Sequence, residues 1–224
     1  MESNTAASFR VGRVSMPWSI LNRPSIQLAS LKSYLARKAG IPVDGFHPYL
    51  DIARDIGLEQ YSRLSGNPWA GEALFAPLLF SEKSEDAEKL YQDCFKGEKT
   101  KPPPFQSLVE AIEQSCKHWL TTIDLNRYSL LGFSICFSQL LPSLYMAKLI
   151  KQNHEQLPVV FGGSSCSGLV GASLIQNFPQ IDFLIDGEGE GSLLNLCQFL
   201  RGDSSELCES VKTTQPSPGK RRPG

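Results

Sequence analysis

From Tyr128 to Leu200, apolar segments of strand length alternate with segments of helical spacing, and this alternation constrains the fold more than any other feature of the chain. Tyr128 to Ser134, Leu157 to Phe161 and Ile181 to Ile185 read as buried strands. Pro142 to Gln152, Gly168 to Asn177 and Ser192 to Leu200 read as helices, the last closed by Gly202. Connections of helix length exclude hairpins, so the strands must run parallel, and a parallel sheet needs helices on both faces. The same unit opens the chain. Phe9 to Met16 reads as a short β-branched strand that stops at Met16-Pro17-Trp18, where proline ends ladder pairing. Pro24 suits the first turn of the next helix, Leu28, Leu31 and Leu35 repeat at helical spacing, and Gly40 supplies its stop. Ile41-Pro42-Val43 opens a second strand. The fold class expected is α/β, with a doubly wound, mainly parallel sheet.

The middle of the chain is helical and more polar. His47 to Gly57 reads as a short helix, Ser81 to Pro104 as a solvated helix followed by an extended polyproline connector, and Asp124 to Arg127 as a turn. Phe105 to Trp119 places Leu108, Ile112 and Cys116 on one helical face. A helical insertion around 46–120 is therefore expected inside one domain spanning 1–202. After Gly202 the pattern fades, and residues 203–224 read as a disordered tail.

Charge and cysteine usage narrow the partners. With 22 Lys and Arg against 23 Asp and Glu, the chain has no basic excess to recruit nucleic acid or an anionic membrane surface. Tyr128 to Ile150 holds one charged residue, Lys148, over a length able to span a bilayer. Ser129, Ser134, Ser138, Gln139, Pro142 and Ser143 nevertheless divide it into strand, turn and helix. The six cysteines form no Cys-x-x-Cys pair, and no secretory leader follows Met1, so reduced thiols and a cytoplasmic location are expected. His47, His118 and His154 are scattered, which predicts no metal site.

In an open parallel sheet the ligand site lies beyond the carboxyl ends of the strands, where the strand order reverses. Four loops qualify: Met16 to Ser25, Ser134 to Gln139, Gly162 to Gly168, and Asp186 to Gly191. Trp18 offers a stacking face for a flat cofactor or packs on a crossover helix. Gln139 is a polar residue in an apolar stretch, placed to reach a ligand or to satisfy free helix N–H groups. Gly162 and Gly163 remove side-chain bulk, so that a backbone can approach a ligand, or they make a tight turn. Glu188 and Glu190 suit acid and base work, metal binding, or a favourable charge at a helix start. Cys166 reads as a small buried thiol, with no base identified that would make it a nucleophile.

Taken in order, the four loops resemble one family: the N-terminal part of cobalamin-dependent radical S-adenosylmethionine (SAM) proteins, in particular those of ribosomal peptide (RiPP) maturation. The resemblance rests on Met16-Pro17-Trp18, Arg23-Pro24-Ser25-Ile26-Gln27-Leu28 with Leu31-Lys32, Gly132-Phe133-Ser134 followed by Phe137 and Gln139, Phe161-Gly162-Gly163, and Asp186-Gly187-Glu188-Gly189-Glu190. It runs from about Val11 to Leu200. It implies a Rossmann-like domain that binds cobalamin (vitamin B12) through Pro17, Trp18, Ser25, Gln27, Ser134, Phe137, Gln139, Gly162, Gly163, Ser164, Gly187, Glu188, Gly189 and Glu190. It also implies a methyltransferase system with a radical SAM partner protein or domain and a peptide substrate. The chain lacks the family's Cys-x3-Cys-x2-Cys motif, so no iron–sulfur cluster and no autonomous radical SAM activity are expected on it. It also lacks Asp-x-His-x-x-Gly, so a cobalamin without a lower axial histidine from the protein is expected. A proline common in the family after Glu-Gly-Glu is replaced by Gly191-Ser192-Leu193, which leaves the start of the last helix open. The alternative is a degenerate Rossmann-like interaction module that keeps the fold without the cofactor.

Overall fold

A computed structural model describes residues 9–23 and 25–214; Pro24 and the end of the expected tail, 215–224, lie outside the described residues. Six strands form one sheet: β1 (Val11–Val14), β2 (Val43–Phe46), β3 (Leu130–Ser134), β4 (Val159–Gly162), β5 (Phe183–Ile185) and β6 (Val211–Thr213), in the order β2-β1-β3-β4-β5-β6. β1 pairs parallel with both β2 and β3, Val11 lying beside Val43 and Leu130, and the parallel ladder continues through β5. The protein is an α/β, Rossmann-like doubly wound domain.

Winding follows from the direction in which the chain leaves each strand. From β1 it returns through α1 (Ile26–Ala39) to β2 on one side; from β3 it advances through α7 (Leu140–Asn153) to β4 and through α8 (Gly168–Asn177) to β5 on the other. Crossovers of one hand taken in opposite directions land on opposite faces. Residue alternation along the strands shows the result. Val11, Leu130, Val160, Phe183 and Ile185 pack with Leu31 and Leu35 of α1 and with Leu193 and Leu196 of α9 (Gly189–Arg201). Val14, Leu131, Phe133, Val159 and Phe161 face the other way, into the cluster that contains α7 and α8 residues. There the Phe133 and Phe161 rings lie 5.2 Å apart, each burial contributing about 1.5–3 kcal/mol.

Between β2 and β3 stand α2 (Pro48–Ile56), α3 (Leu58–Ser65), α4 (Pro68–Leu79), α5 (Ser84–Cys94) and α6 (Phe105–Thr121), the segment expected as a helical insertion. Asn67 starts α4 by accepting from Ala70 N at 3.3 Å, with Pro68 in the first turn. α5 is less solvated than its composition predicts. Ala87 and Tyr91 are buried, and Tyr91 packs against Phe95 and Phe105. Two helices begin earlier than their sequence signals, α7 at Leu140 and α9 at Gly189. The reason at α7 lies in another element: Gln139 provides no side-chain cap, and Glu72 of α4 accepts from Leu140 N at 3.1 Å and Leu141 N at 2.9 Å.

One correction concerns the tail. Val211–Thr213 forms β6, antiparallel to β5, where disorder was expected. Three residues carry too little pattern to register, but Asp186 N donates to Ser210 O at 2.8 Å, and Ser192 and Ser210 hydroxyls meet at 2.7 Å, fixing the strand in place. Among the described residues, no helix is long and apolar enough to cross a membrane.

Glu72 is largely buried, and desolvation raises its pKa while the two backbone donors pull it down. Its capping bonds tie the insertion to the helix that follows β3. Glu72→Ala is expected to lower stability by about 1 kcal/mol, measured as the urea midpoint, with no loss of secondary structure by circular dichroism.

Candidate functional site

The strand order reverses between β1 and β3, so the loops leaving their carboxyl ends turn to opposite faces and open a crevice. A cavity of about 420 Å³ occupies it, bounded by Ser15, Trp18, Ser19, Gln27, Ser134 and Phe137 among others. A second, of about 140 Å³, continues over the α1 and α9 face of the sheet, bounded by Arg13, Leu31, Gly162, Gly187 and Glu190. Gln27 and Ser134 line both.

The expected site residues divide according to what already holds them. Pro17 and Trp18 are buried, and the peptide bond between them is cis. Trp18 does not present a stacking face. It is 6% exposed and lies 5.2 Å from Tyr61 and 6.4 Å from Phe75, ring to ring. A Cβ at Gly71 of α4 would collide with its indole, so the ring anchors the β1 loop to the insertion. Gln139 is likewise consumed within the protein. Its Nε2 donates to Met16 O and to Ser19 Oγ at 2.9 Å, and its Oε1 accepts from Cys136 N at 3.1 Å. It joins the two loops of the switch point and acts on the site through them. Ser25 caps α1, its Oγ accepting from Leu28 N at 3.3 Å and donating to Gln27 Oε1 at 3.0 Å. Ser134 borders both cavities, Gln27 reaches them with an amide that already accepts from Ser25 and donates to Cys136 Sγ at 3.7 Å, and Phe137 stands 76% exposed at the mouth.

The glycine pair also separates into two roles. Gly163 has φ +111°, and a Cβ there would overlap the Ile135 backbone. Its glycine is required by the contact between the β3 and β4 loops, where Ile135 N donates to Gly162 O at 2.7 Å and Ser165 N to Ile135 O at 3.3 Å. Both glycines line the smaller cavity, but a Cβ on Gly162 would meet only Ile185 Cβ, at 3.5 Å, and the Ile185 carbonyl at 3.7 Å. Ser164 is exposed and opens a short 3-10 turn to Cys166. Gly187 and Glu188 are exposed; Glu188 precedes α9 without capping it, and Glu190 in the first turn accepts from Ser30 Oγ of α1 at 3.0 Å.

Two residues near this end of the sheet carry roles that their sequence positions do not disclose. Asp186 accepts from Gly168 N at 3.2 Å, stabilising the start of α8. Arg13 points from the middle of β1 across Gly132 of β3, whose absent Cβ leaves room 3.0 Å from Arg13 Cδ. It is 5% exposed, its Nε is buried without a partner, and burial pulls its pKa down to about 10, so it stays charged at neutral pH. The available signal was a lone arginine inside a strand whose flanking alternation buries both faces. Cys166 and Cys197 are buried, and desolvation pushes both thiols up to about 12, the opposite of what a nucleophile needs. Among the described residues no group of three His, Cys, Asp or Glu side chains is placed to hold a metal ion.

No protein-family model and no curated protein matches the chain. Among solved structures, it is similar to the crystal structure of a sugar ABC transport system, substrate-binding protein from Bordetella parapertussis 12822. The identity is 9%, with 87% of this chain and 81% of that chain covered and a TM-score of 0.21. Likeness at that level carries no argument about ligand or activity.

Gly163→Ala is expected to cost roughly 2 kcal/mol or more, because strain and a backbone overlap coincide there; Gly162→Ala is expected to stay within about 0.5 kcal/mol of wild type. Thermal midpoints of the two variants check the contrast. Gln139→Leu, which strands the Met16 carbonyl and the Cys136 amide, is expected to cost about 2 kcal/mol in chemical denaturation.

Proposed function

We propose that this chain is a cobalamin-binding α/β domain that holds a corrinoid across the carboxyl ends of its strands, as a component of a radical SAM methyltransferase or peptide-maturation system. The observation that carries the reading is convergence. The four loops that resemble the family, separated along the chain by the insertion and two crossovers, meet at one rim around the switch-point crevice.

The rim has chemistry suited to a broad macrocycle with an apolar face and an amide fringe. Ile20, Ile26 and Phe137 are 62%, 81% and 76% exposed around the larger cavity, an apolar surface that water does not favour. Ser134 and Gln27 supply hydrogen-bonding groups between them, and Gly162, Gly187 and Gly189 keep one wall free of side chains. In this reading Ile26 and Phe137 support the ring while Ser134 and Gln27 orient its amides. In this reading the corrinoid would bind without an axial histidine from the protein. Bound cobalamin supplies the methyl-carrying cobalt; this chain orients it and limits its access to water. The iron–sulfur cluster and the radical belong to a partner protein or domain, and a peptide is the proposed substrate.

A cofactor-free interaction module is the second reading. Leu169 and Val170, 91% and 54% exposed at the start of α8, add apolar surface at the same end of the sheet.

Gel filtration after incubation with hydroxocobalamin tests the proposal. Corrinoid absorbance is expected to travel with the protein, and the double variant Ile26→Ser, Phe137→Ser to retain it about tenfold more weakly at an unchanged thermal midpoint. Colour that elutes only with small molecules, with or without a radical SAM partner, would leave the interaction module.

A further inference from the structure

Arg13 poses a problem that the corrinoid reading does not solve. A guanidinium cannot shed its charge at neutral pH, and a charge removed from water needs a counter-charge or a full set of acceptors. Arg13 is 95% buried, being 5% exposed, yet its Nε has no hydrogen-bond partner. Among the described residues no carboxylate forms an ion pair with it. Cys197 of α9 is near enough to influence it electrostatically, but burial keeps that thiol protonated at neutral pH.

The charge borders the smaller cavity, and the opposite wall of that cavity is the start of α9. Gly187, Gly189 and Glu190 line it there. Glu188 places no side chain on the first-turn amides, which have no intrahelical acceptors of their own. α9 has 13 residues, long enough for its amide dipoles to favour an anion at this end. The cavity of about 140 Å³ has room for one tetrahedral oxyanion with water beside it. It is too small for a macrocycle.

We propose that the cleft between β4, α1 and α9 binds a phosphate-class oxyanion, with Arg13 as its buried counter-charge and the first-turn amides of α9 as its neutral donors. Gly132 and Gly162 serve this site by absence: the first gives Arg13 its path across β3, and the second leaves the cavity wall open. Glu190 stands at the edge of the same cavity with its carboxylate held by Ser30 of α1, and its charge tempers the affinity. The oxyanion is either the free ion or the phosphoryl end of a larger molecule. The inference does not depend on the corrinoid reading, and its test contains no corrinoid.

Calorimetric titration of the full chain with inorganic phosphate, against sodium chloride of matched ionic strength, reads the site directly. Saturable binding to one site is expected, together with a thermal midpoint that rises with phosphate and not with chloride. Arg13→Met preserves much of the side-chain volume and removes the charge. It is expected to weaken phosphate binding about tenfold or more while leaving the midpoint in chloride equal to or above wild type, since an unpaired buried charge is lost. Glu190→Gln, which cannot fail through the core, is expected to bind phosphate more tightly than wild type. Methyl phosphate competing with inorganic phosphate would mark the phosphoryl end of a larger ligand; inorganic phosphate binding alone would mark the free ion, and either result supports the site. Absence of saturable phosphate binding in wild type overturns the proposal. So does full retention of binding in folded Arg13→Met. A midpoint lowered by Glu190→Gln without any phosphate response would make Glu190 the counter-charge and likewise overturn it.

Discussion

The parallel pairing of β1 with β3 is the constraint on which the rest of the structure depends. Val11 and Leu130 are neighbours in the sheet although the whole helical insertion lies between them in sequence. Closing so long an excursion costs entropy that grows only slowly with its length, and the insertion offsets it by burying Tyr61, Phe75 and Tyr91 in a core continuous with Val14, Leu131 and Phe133 of the sheet. Once β1 and β3 are adjacent, the chain must wind in opposite directions on either side of them, and a crevice opens at their carboxyl ends. Gln139 and Gly163 then hold the margins of that crevice. The first joins the β1 and β3 loops through its amide, and the second lets the β4 loop lie against the Ile135 backbone.

Much of this architecture was legible in the sequence because its signals are local. Strands buried on both faces show as continuous apolar runs, and helices of crossover length between them exclude hairpins. Gly40 stops α1 where its sequence position predicts. What escaped prediction depends on residues distant in sequence. β6 is three residues long and exists because β5 and the Ser192 hydroxyl are waiting for it. The start of α7 depends on a carboxylate supplied from α4. Neither leaves a trace in its own segment.

The site was legible in position more than in role. All four loops end where expected, but proximity to a crevice does not say which atoms are free. Trp18 is committed to the insertion core, Gln139 to loop bonding and Ser25 to a helix cap, so the surface left for a ligand is the rim of Ile20, Ile26 and Phe137 with the hydrogen-bonding groups of Gln27 and Ser134. Arg13 shows the converse. Its sequence context is that of an ordinary strand, and only three-dimensional packing reveals a charge left beside an uncapped helix start. The two cavities share Gln27 and Ser134, which form a common wall between them.

Amide hydrogen exchange with and without hydroxocobalamin tests the central claim, that the switch-point rim is the corrinoid surface. Peptides covering residues 15–27 and 134–139 are predicted to gain protection, those covering 162–164 and 187–190 to gain it more weakly, and α2, α5 and α6 to exchange unchanged. Protection confined to the helical insertion, or no protection anywhere in the presence of excess corrinoid, would contradict it.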